Sequence, residues 1–204
     1  MSKTECSQLL DEAYQYVKTL LQPLKSQGYY FHNWDHTKEV FEHAKFYAQE
    51  LKLNEQDTCK LLLAALFHDT WFVRIYNWHE EASAKIAEKF LQGKIPADWL
   101  EQIKNMILAT KVGKEPQTLL EAALKDADVD NIRSEEFLIK SDLLKEEIET
   151  LFDKQFTPQK WIKTLQKALE IGQCRTPVCE KKKMEGLKNN KSFVKLYGDF
   201  LQNH

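Results

Sequence analysis

An adjacent histidine and aspartate close the most apolar segment of the chain. His68 and Asp69 follow an unbroken apolar run over residues 61–67, which is the pattern of a helix buried on all sides. Burying an imidazole and a carboxylate together is costly unless something compensates both groups. A bound cation would do so, although a hydrogen-bonded His-Asp pair without a metal is the alternative for these two residues.

Two further residues would complete a metal site. His36 lies four residues before Val40 on the apolar face of its own helix, so we expect its ring to point inward. Asp128 lies in a sparse acidic string, with Asp126 and Asp130 as competing candidates. Two imidazoles and two carboxylates suit manganese, iron, cobalt, nickel or zinc, with magnesium less natural. Such a set would leave open positions for water and a phosphate oxygen.

Several other kinds of site lack support in the sequence. The acidic string has Asn131 where a calcium loop needs glycine and Phe137 where it needs glutamate. The chain also has no Gly-rich phosphate loop, no His-Glu-x-x-His helix and no Gly-x-Ser-x-Gly elbow. Nothing therefore favours a nucleotide triphosphatase, a zincin or a serine hydrolase.

The elements that must position these residues are helical. Only 6 Gly and 5 Pro interrupt the 204 residues, and apolar residues recur at spacings of three and four. No strand pair is predicted, so the expected fold class is all-α. The predicted helices lie at 4–24, from 34 to about 51, from an N-cap at Asn54 to about 67, from about 79 to 92, and at 97–111, 118–128, 135–152, 158–171 and 177–201.

The charge composition limits which classes of binding partner are expected. The 29 basic and 31 acidic residues give a net charge of -2 and are mostly interspersed, so we expect a small-molecule partner, not nucleic acid or a membrane. The oligomeric state cannot be read from the sequence. A lysine-rich stretch at 181–195 is interpreted as a solvated helix face.

The cysteines and the apolar runs predict a cytoplasmic protein. No run approaches the roughly 18 apolar residues that span a bilayer, and the first residues are polar, unlike a signal segment. The four cysteines form no Cys-x-x-Cys pair and are too few for a disulfide framework in a chain of this size. We therefore expect a reduced protein.

The order of the candidate ligands resembles the HD superfamily of metal-dependent phosphohydrolases, which is named for its His-Asp pair. Five successive segments are similar to motifs of its small predicted-phosphohydrolase branch: FHNWDHT at 31–37, ALFHD at 65–69, HEEASA at 79–84, LATK at 108–111 and DAD at 126–128. The resemblance implies a helical bundle of the HD-domain type with additional C-terminal helices. It implies a single domain over 1–204, with an HD metal-binding core at 30–135 and a helical extension at 136–204 packed on it.

The resemblance also implies the ligands and the reaction. The implied ligands of one divalent transition metal are His36, His68, Asp69 and Asp128. Asp128 is preferred because Ala127-Asp128 takes the place of the family's closing Ala-Asp pair. The implied reaction is hydrolysis of a nucleotide or other small phosphate ester through a metal-activated water, with Asp69 also serving catalysis. The alternative is a non-catalytic sensor that binds a metal or a nucleotide.

His79 stands where two-metal members of the superfamily carry a further histidine. The later histidines of those members are missing from residues 107–113, so we expect one metal and no di-iron oxygenase. His79 then becomes a candidate phosphate ligand or proton shuttle, or a surface histidine that begins a helix. Glu80 and Glu81 are candidate acid-base or water-orienting groups, although the helix dipole also explains carboxylates in a first turn.

The remaining substrate-binding candidates lie around the same motifs. His32 is placed at the pocket rim, with a local capping role as the alternative. Arg74 and Lys111 are cations that would counter a phosphate's charge, or else ordinary surface residues. A group of aromatic residues would wall a base-binding pocket or pack in the core: Trp71, Phe72, Tyr76 and Trp78.

Overall fold

The fold is described from a computed structural model of the chain, over residues 2–73 and 79–202. These residues form nine α-helices and no strand, apart from one isolated bridge between Gln92 and Ile95. The all-α prediction is therefore confirmed. The helices are α1 Lys3–Leu21, α2 Trp34–Glu50, α3 Glu55–Phe67, α4 His79–Leu91, α5 Ala97–Ala109, α6 Leu119–Asp128, α7 Phe137–Phe152, α8 Pro158–Ile171 and α9 Pro177–Gln202.

Local sequence signals explain where these helices begin. Ser2 forms a capping box with Glu5 at the start of α1, and side-chain caps precede α2, α3, α6 and α8. Pro23 turns the end of the first predicted helix into a separate 3-10 helix, Gln22–Gln27, so α1 is shorter than expected. Two more 3-10 helices lie at Thr70–Val73 and Asp130–Arg133.

The buried core is built around α3. Every residue of its apolar run at 61–67 is buried, because α1, α2, α4, α5 and α6 all pack against it. Most of the apolar core is one cluster contributed by α1 to α6, and a smaller cluster joins α7, α8 and α9. The division into a core at 30–135 and an extension at 136–204 stays a prediction.

Buried polar groups attach α9 to this core. Asp126 on α6 accepts the backbone N–H groups of Arg175 and Thr176, and the Thr176 hydroxyl, just before α9 begins. Further along α9, Lys183 donates to the buried carboxylate of Asp130 at 2.9 Å. The lysine-rich stretch is therefore not only a solvated face, since one of its members binds a buried carboxylate.

The expectation of unpaired cysteines is wrong. Cys6 and Cys59 form a disulfide between α1 and α3, and Cys174 and Cys179 form another at the start of α9. The packing of α1 on α3 brings the first pair to a Cα separation of 6.2 Å, which their distance along the chain does not reveal. The cytoplasmic location stays a prediction. Among the described residues, none of the helices is both long and apolar enough to cross a lipid bilayer.

Candidate metal centre and active site

Four side chains converge at the ends of three helices. His36 lies in the first turn of α2, behind the N-cap Asn33. His68 is the C-cap of α3, and Asp69 follows it directly. Asp128 is the last residue of α6. The apolar run of α3 thus carries the His-Asp pair into the interior, where α2 and α6 pack against it.

The four side chains are close enough to share one ion. Each offers one ligand atom, and these atoms all lie within 4.8 Å of one another. Nε2 of His36 is 3.5 Å from Oδ2 of Asp69 and 3.3 Å from Oδ1 of Asp128. Nε2 of His68 is 3.2 Å from the same Asp69 oxygen and 3.4 Å from the same Asp128 oxygen. The structure therefore brings together all four residues that the sequence singled out.

The surroundings of His68 show that this set fits a metal ion. Its ring is fully buried, and Nδ1 lies 2.8 Å from the carbonyl oxygen of Ala65, which leaves the lone pair of the neutral ring on Nε2. Within the described part of the chain, Nε2 has no hydrogen-bond partner. A buried polar atom without a partner is unfavourable, and a divalent cation between the two carboxylates would satisfy it.

Without an ion, opposite charges would favour the ionised form of each of the four groups. Burial would lower the pKa of His36, but Asp128 and Asp69 raise it to about 9. Burial of His68 is likewise outweighed, chiefly by the charge of Asp69, so its pKa is well above the ordinary value. Burial would raise the pKa of each aspartate, yet the histidines lower both. The two carboxylates thus present negative charge that a divalent cation would neutralise in place of the histidine protons.

A cavity of about 230 Å³ opens over these residues. Its floor contains three of the four candidate ligands and three of the other predicted site residues. Its opposite wall comes from α7 and α8, which lie after the predicted HD motifs. The floor residues are His32, His36, Asp69, His79, Glu80 and Asp128. The wall residues are Phe137, Lys140, Ser141, Leu144, Ala168 and Ile171.

His79 and Glu80 lie beside Oδ1, the second carboxylate oxygen of Asp69. Nε2 of His79 is 3.7 Å from Oδ1 of Asp69, whereas His36 and His68 approach the other oxygen, Oδ2. The same His79 nitrogen is 3.4 Å from Oε1 of Glu80. Glu80 is buried although it lies in the first turn of α4. The position of this carboxylate inside the cavity distinguishes it from a carboxylate that serves only the helix dipole.

Other predicted site residues lie elsewhere. Lys111 donates to Glu81 at 2.6 Å, and neither side chain lines the cavity. Arg74, Tyr76 and Trp78 lie outside the described residues. The side chain of Phe72 also lies outside them, and Trp71 does not line this cavity.

The two competing aspartates have other partners. Asp126 accepts hydrogen bonds from the chain at Arg175 and Thr176, and Asp130 accepts from the hydroxyl of Tyr47 and from Lys183. Both carboxylates are buried in these contacts, whereas Asp128 faces the histidines. This favours Asp128 as the fourth ligand.

Sequence reasoning missed two buried charged residues near the site. Lys125 donates to the carbonyl oxygens of Ala109, the last residue of α5, and of Lys111 and Lys114 beyond it. These bonds fix the segment that carries Thr110 into the cavity. Burial lowers the pKa of Lys125. Glu147, on α7, binds the loop before α2. Neither belongs to a motif, so only the three-dimensional contacts reveal them.

Comparisons with known proteins agree with this geometry. The HD domain family matches residues 33–130, which contain all four candidate ligands. A crystal structure of the Lin1889 protein from Listeria innocua has the same fold, with a TM-score of 0.69, 18% sequence identity, and coverage of 99% of this chain and 98% of that chain. A search of curated proteins found no significant match. Residues 33–130 of the chain are therefore an HD domain, and the name of that domain describes the pair His68-Asp69.

Proposed function

We propose that this protein is a hydrolase of phosphate esters that uses one divalent transition metal on His36, His68, Asp69 and Asp128. The observation that carries the proposal is the convergence of their four ligand atoms within 4.8 Å, around a buried His68 nitrogen that lacks a hydrogen-bond partner within the described part of the chain. When bound, such an ion polarises a phosphoryl oxygen and brings the pKa of a coordinated water towards neutrality.

Two residues beside Asp69 would orient the attacking water and accept its proton. His79 and Glu80 lie within 3.4 Å of each other at the edge of the cavity, so together they can accept a proton from a water and orient it. Glu81 is less suited to this role, because it is paired with Lys111 outside the cavity. We therefore assign acid-base work to His79 and Glu80.

The opposite wall would hold the rest of the substrate. Lys140 supplies a cation that faces the cavity, and it also pairs with Glu39 on α2. Phe137, Leu144 and Ile171 supply an apolar surface. A negatively charged phosphate beside an apolar group matches this wall, so we propose a nucleotide or another small phosphate ester as substrate.

The proposal is tested by measuring metal content and turnover on the same samples. The full chain is loaded in turn with Mn²⁺, Fe²⁺, Co²⁺, Ni²⁺, Zn²⁺ and Mg²⁺, then screened against phosphate monoesters and diesters. We expect about one ion per chain, and turnover that Asp69→Ala abolishes. Failure to retain any of these metals with all four residues intact would contradict the proposal. Tight nucleotide binding without turnover would instead favour a sensor.

A further inference from the structure

A buried carboxylate from α7 binds the loop that precedes α2. The side chain of Glu147 is fully buried, and its Oε2 accepts the backbone N–H groups of Phe31 and His32, both at 2.8 Å. Its other oxygen, Oε1, lies 2.5 Å from Nδ1 of the His32 ring. The two oxygens therefore do different things: one holds the backbone and the other holds the imidazole.

The backbone of this loop is also fixed without the imidazole contact. The side-chain amide of Asn33 donates to the carbonyl oxygens of Tyr29 and Tyr30, and its oxygen accepts from the N–H of Asp35. A role confined to anchoring the loop would need only Oε2 of Glu147. The contact from Oε1 to the His32 ring is additional, and it selects the orientation of that ring.

The orientation matters because His32 lines the candidate active site. Its ring centroid lies 6.0 Å from that of His36, and it shares the cavity with Asp69 and Asp128. Glu147 does not line the cavity, so Nδ1 is turned away from it. The edge of the ring that carries Nε2 then faces the cavity that His32 shares with the metal centre.

The same helix continues along the cavity. Lys140 and Leu144 line it, seven and three residues before Glu147, which places all three on one side of α7. This helix begins after residue 130, where the match to the HD domain ends. The wall that faces the metal centre thus comes from outside the matched segment.

We infer that Glu147 is a positioning residue, which holds Nδ1 of His32 so that Nε2 contacts the phosphoryl group of a substrate at the metal centre. In this way α7 completes the substrate site. The inference rests on the proposed phosphohydrolase function, but it concerns phosphate recognition and can be tested without turnover.

The decisive variant is Glu147→Gln. A glutamine can keep its amide oxygen on the two backbone N–H groups, so the loop retains its anchor. Its NH₂ group then faces Nδ1 of His32, which must become an acceptor. The ring can still donate from Nε2 to a phosphate oxygen, but it no longer carries a proton on both nitrogens and so contributes no positive charge. The matched control is Glu146→Gln, which removes the neighbouring, exposed carboxylate of the same helix.

Turnover gives the first readout. With metal content unchanged, we expect Glu147→Gln to lower kcat/KM by about 10- to 100-fold, as for other residues that orient a functional histidine. Glu146→Gln should match the wild type. If Glu147 acts through His32, it should have no further effect once the ring is gone. The double variant His32→Ala/Glu147→Gln should therefore equal His32→Ala. Independent, multiplicative losses would overturn the inference.

Two further readouts do not require activity. In zinc-loaded protein with inorganic phosphate bound, ¹⁵N NMR should show protons on both nitrogens of the His32 ring in the wild type, where the ring lies between two anions, and on Nε2 alone in Glu147→Gln. Titration with inorganic phosphate should show weaker binding in Glu147→Gln and in His32→Ala than in Glu146→Gln. If the wild type turns over no ester yet this pattern holds, the proposed hydrolase fails and the positioning role stands.

Equal phosphate affinity in all these proteins would overturn the positioning role, whatever the turnover. Should Glu147→Gln fail to fold, His32→Ala decides alone, because the His32 ring lines the cavity. Wild-type phosphate affinity and wild-type turnover in His32→Ala would then contradict the inference.

Discussion

Three aspartates spaced two residues apart near the end of α6 have three different surroundings. Asp126 is enclosed by donors from the start of α9, Asp130 is bound by Tyr47 and Lys183, and Asp128 faces His36. The chain leaves α6 after Asp128 and enters a 3-10 helix at Asp130, so the three carboxylates point in different directions. Only one of them therefore reaches the candidate metal.

Replacing each aspartate by asparagine should separate these roles. We expect Asp128→Asn to weaken metal binding by more than about 100-fold, because the loss of a ligand should exceed the loss of an outer-shell partner. Asp126→Asn should keep the metal but lose about 2–4 kcal/mol of unfolding free energy, because buried donors lose their carboxylate. Metal titration and urea denaturation measure the two effects. Metal loss from Asp126→Asn while the protein stays folded would reverse the assignment.

The adjacent glutamates of α4 offer a second comparison between neighbours. Glu80 lines the cavity near His79, whereas Glu81 is paired with Lys111 outside it. We expect Glu80→Gln to lower kcat by about 10- to 100-fold with the metal retained, because a proton acceptor is lost. Glu81→Gln should leave kcat within about twofold. Steady-state kinetics on the best ester from the screen would reveal equal effects if the assignment is wrong.

For single residues, the sequence reveals polar groups that stand in an apolar run, because their burial is unusual. It misses residues whose contacts are far away along the chain. His68 and Asp69 stand out because polar groups end a fully apolar run. Glu147 does not stand out, because a glutamate in an amphipathic helix has an ordinary surface explanation. Its partners at residues 31 and 32 are more than a hundred positions away, and no local pattern connects them.

Helix α9 approaches the backbone of another segment closely at Gly186. A Cβ atom at Gly186 would lie 1.9 Å from the carbonyl oxygen of Arg133, and that residue is buried within its 3-10 helix. Glycine is therefore required here for packing, although it is unfavourable in a helix interior. Arg133 also donates to the carbonyl of Gly172, so the backbone at this point has little freedom to move.

We expect Gly186→Ala to destabilise the protein by about 1–3 kcal/mol or more, because overpacking outweighs the gain in helix propensity. Gly198→Ala on the same helix is the control. Its added Cβ would lie 3.2 Å from a methyl group of Ile162, and a side chain can move more easily than a backbone. Urea denaturation gives both values. A Gly186→Ala variant as stable as the wild type would show that α9 does not approach Arg133 so closely.

Helix positions were largely predictable, because caps and apolar spacing are local signals. Asn54 caps α3 as expected, and α8 spans the predicted residues. Where a helix ends earlier than predicted, the cause is also local. Pro23, for example, follows the early end of α1. The docking of α9 was not predictable, because it depends on Gly186 meeting a backbone carbonyl from another segment.

For the molecule as a whole, the metal centre joins α2, α3 and α6, so an ion should stabilise the fold. At a free metal concentration about 100 times the Kd, binding contributes about 2.7 kcal/mol. For a chain of this length that raises the Tm by about 5–10 °C. Differential scanning calorimetry with metal and with a chelator measures the shift. Asp69→Ala should show no shift, and an equal shift in that variant would place the ion elsewhere.

The two disulfides, which the sequence did not predict, close loops of very different length. The bond between Cys6 and Cys59 closes a loop of 53 residues, and that between Cys174 and Cys179 closes one of 5. In the chain-entropy account, these loops contribute about 4 and about 2 kcal/mol. Cys59→Ser should therefore destabilise the protein more than Cys179→Ser.

The pairing itself is measured by counting thiols in protein that is purified and denatured without reductant. We expect none of the four cysteines to react. Four reactive thiols, with unfolding free energies that reductant leaves unchanged, would mean that apolar packing alone holds α1 on α3. That outcome would restore the reduced state expected from the cysteine count. Two reactive thiols would mean that only one of the two disulfides forms. Mass spectrometry of the labelled peptides would then show which pair is bonded.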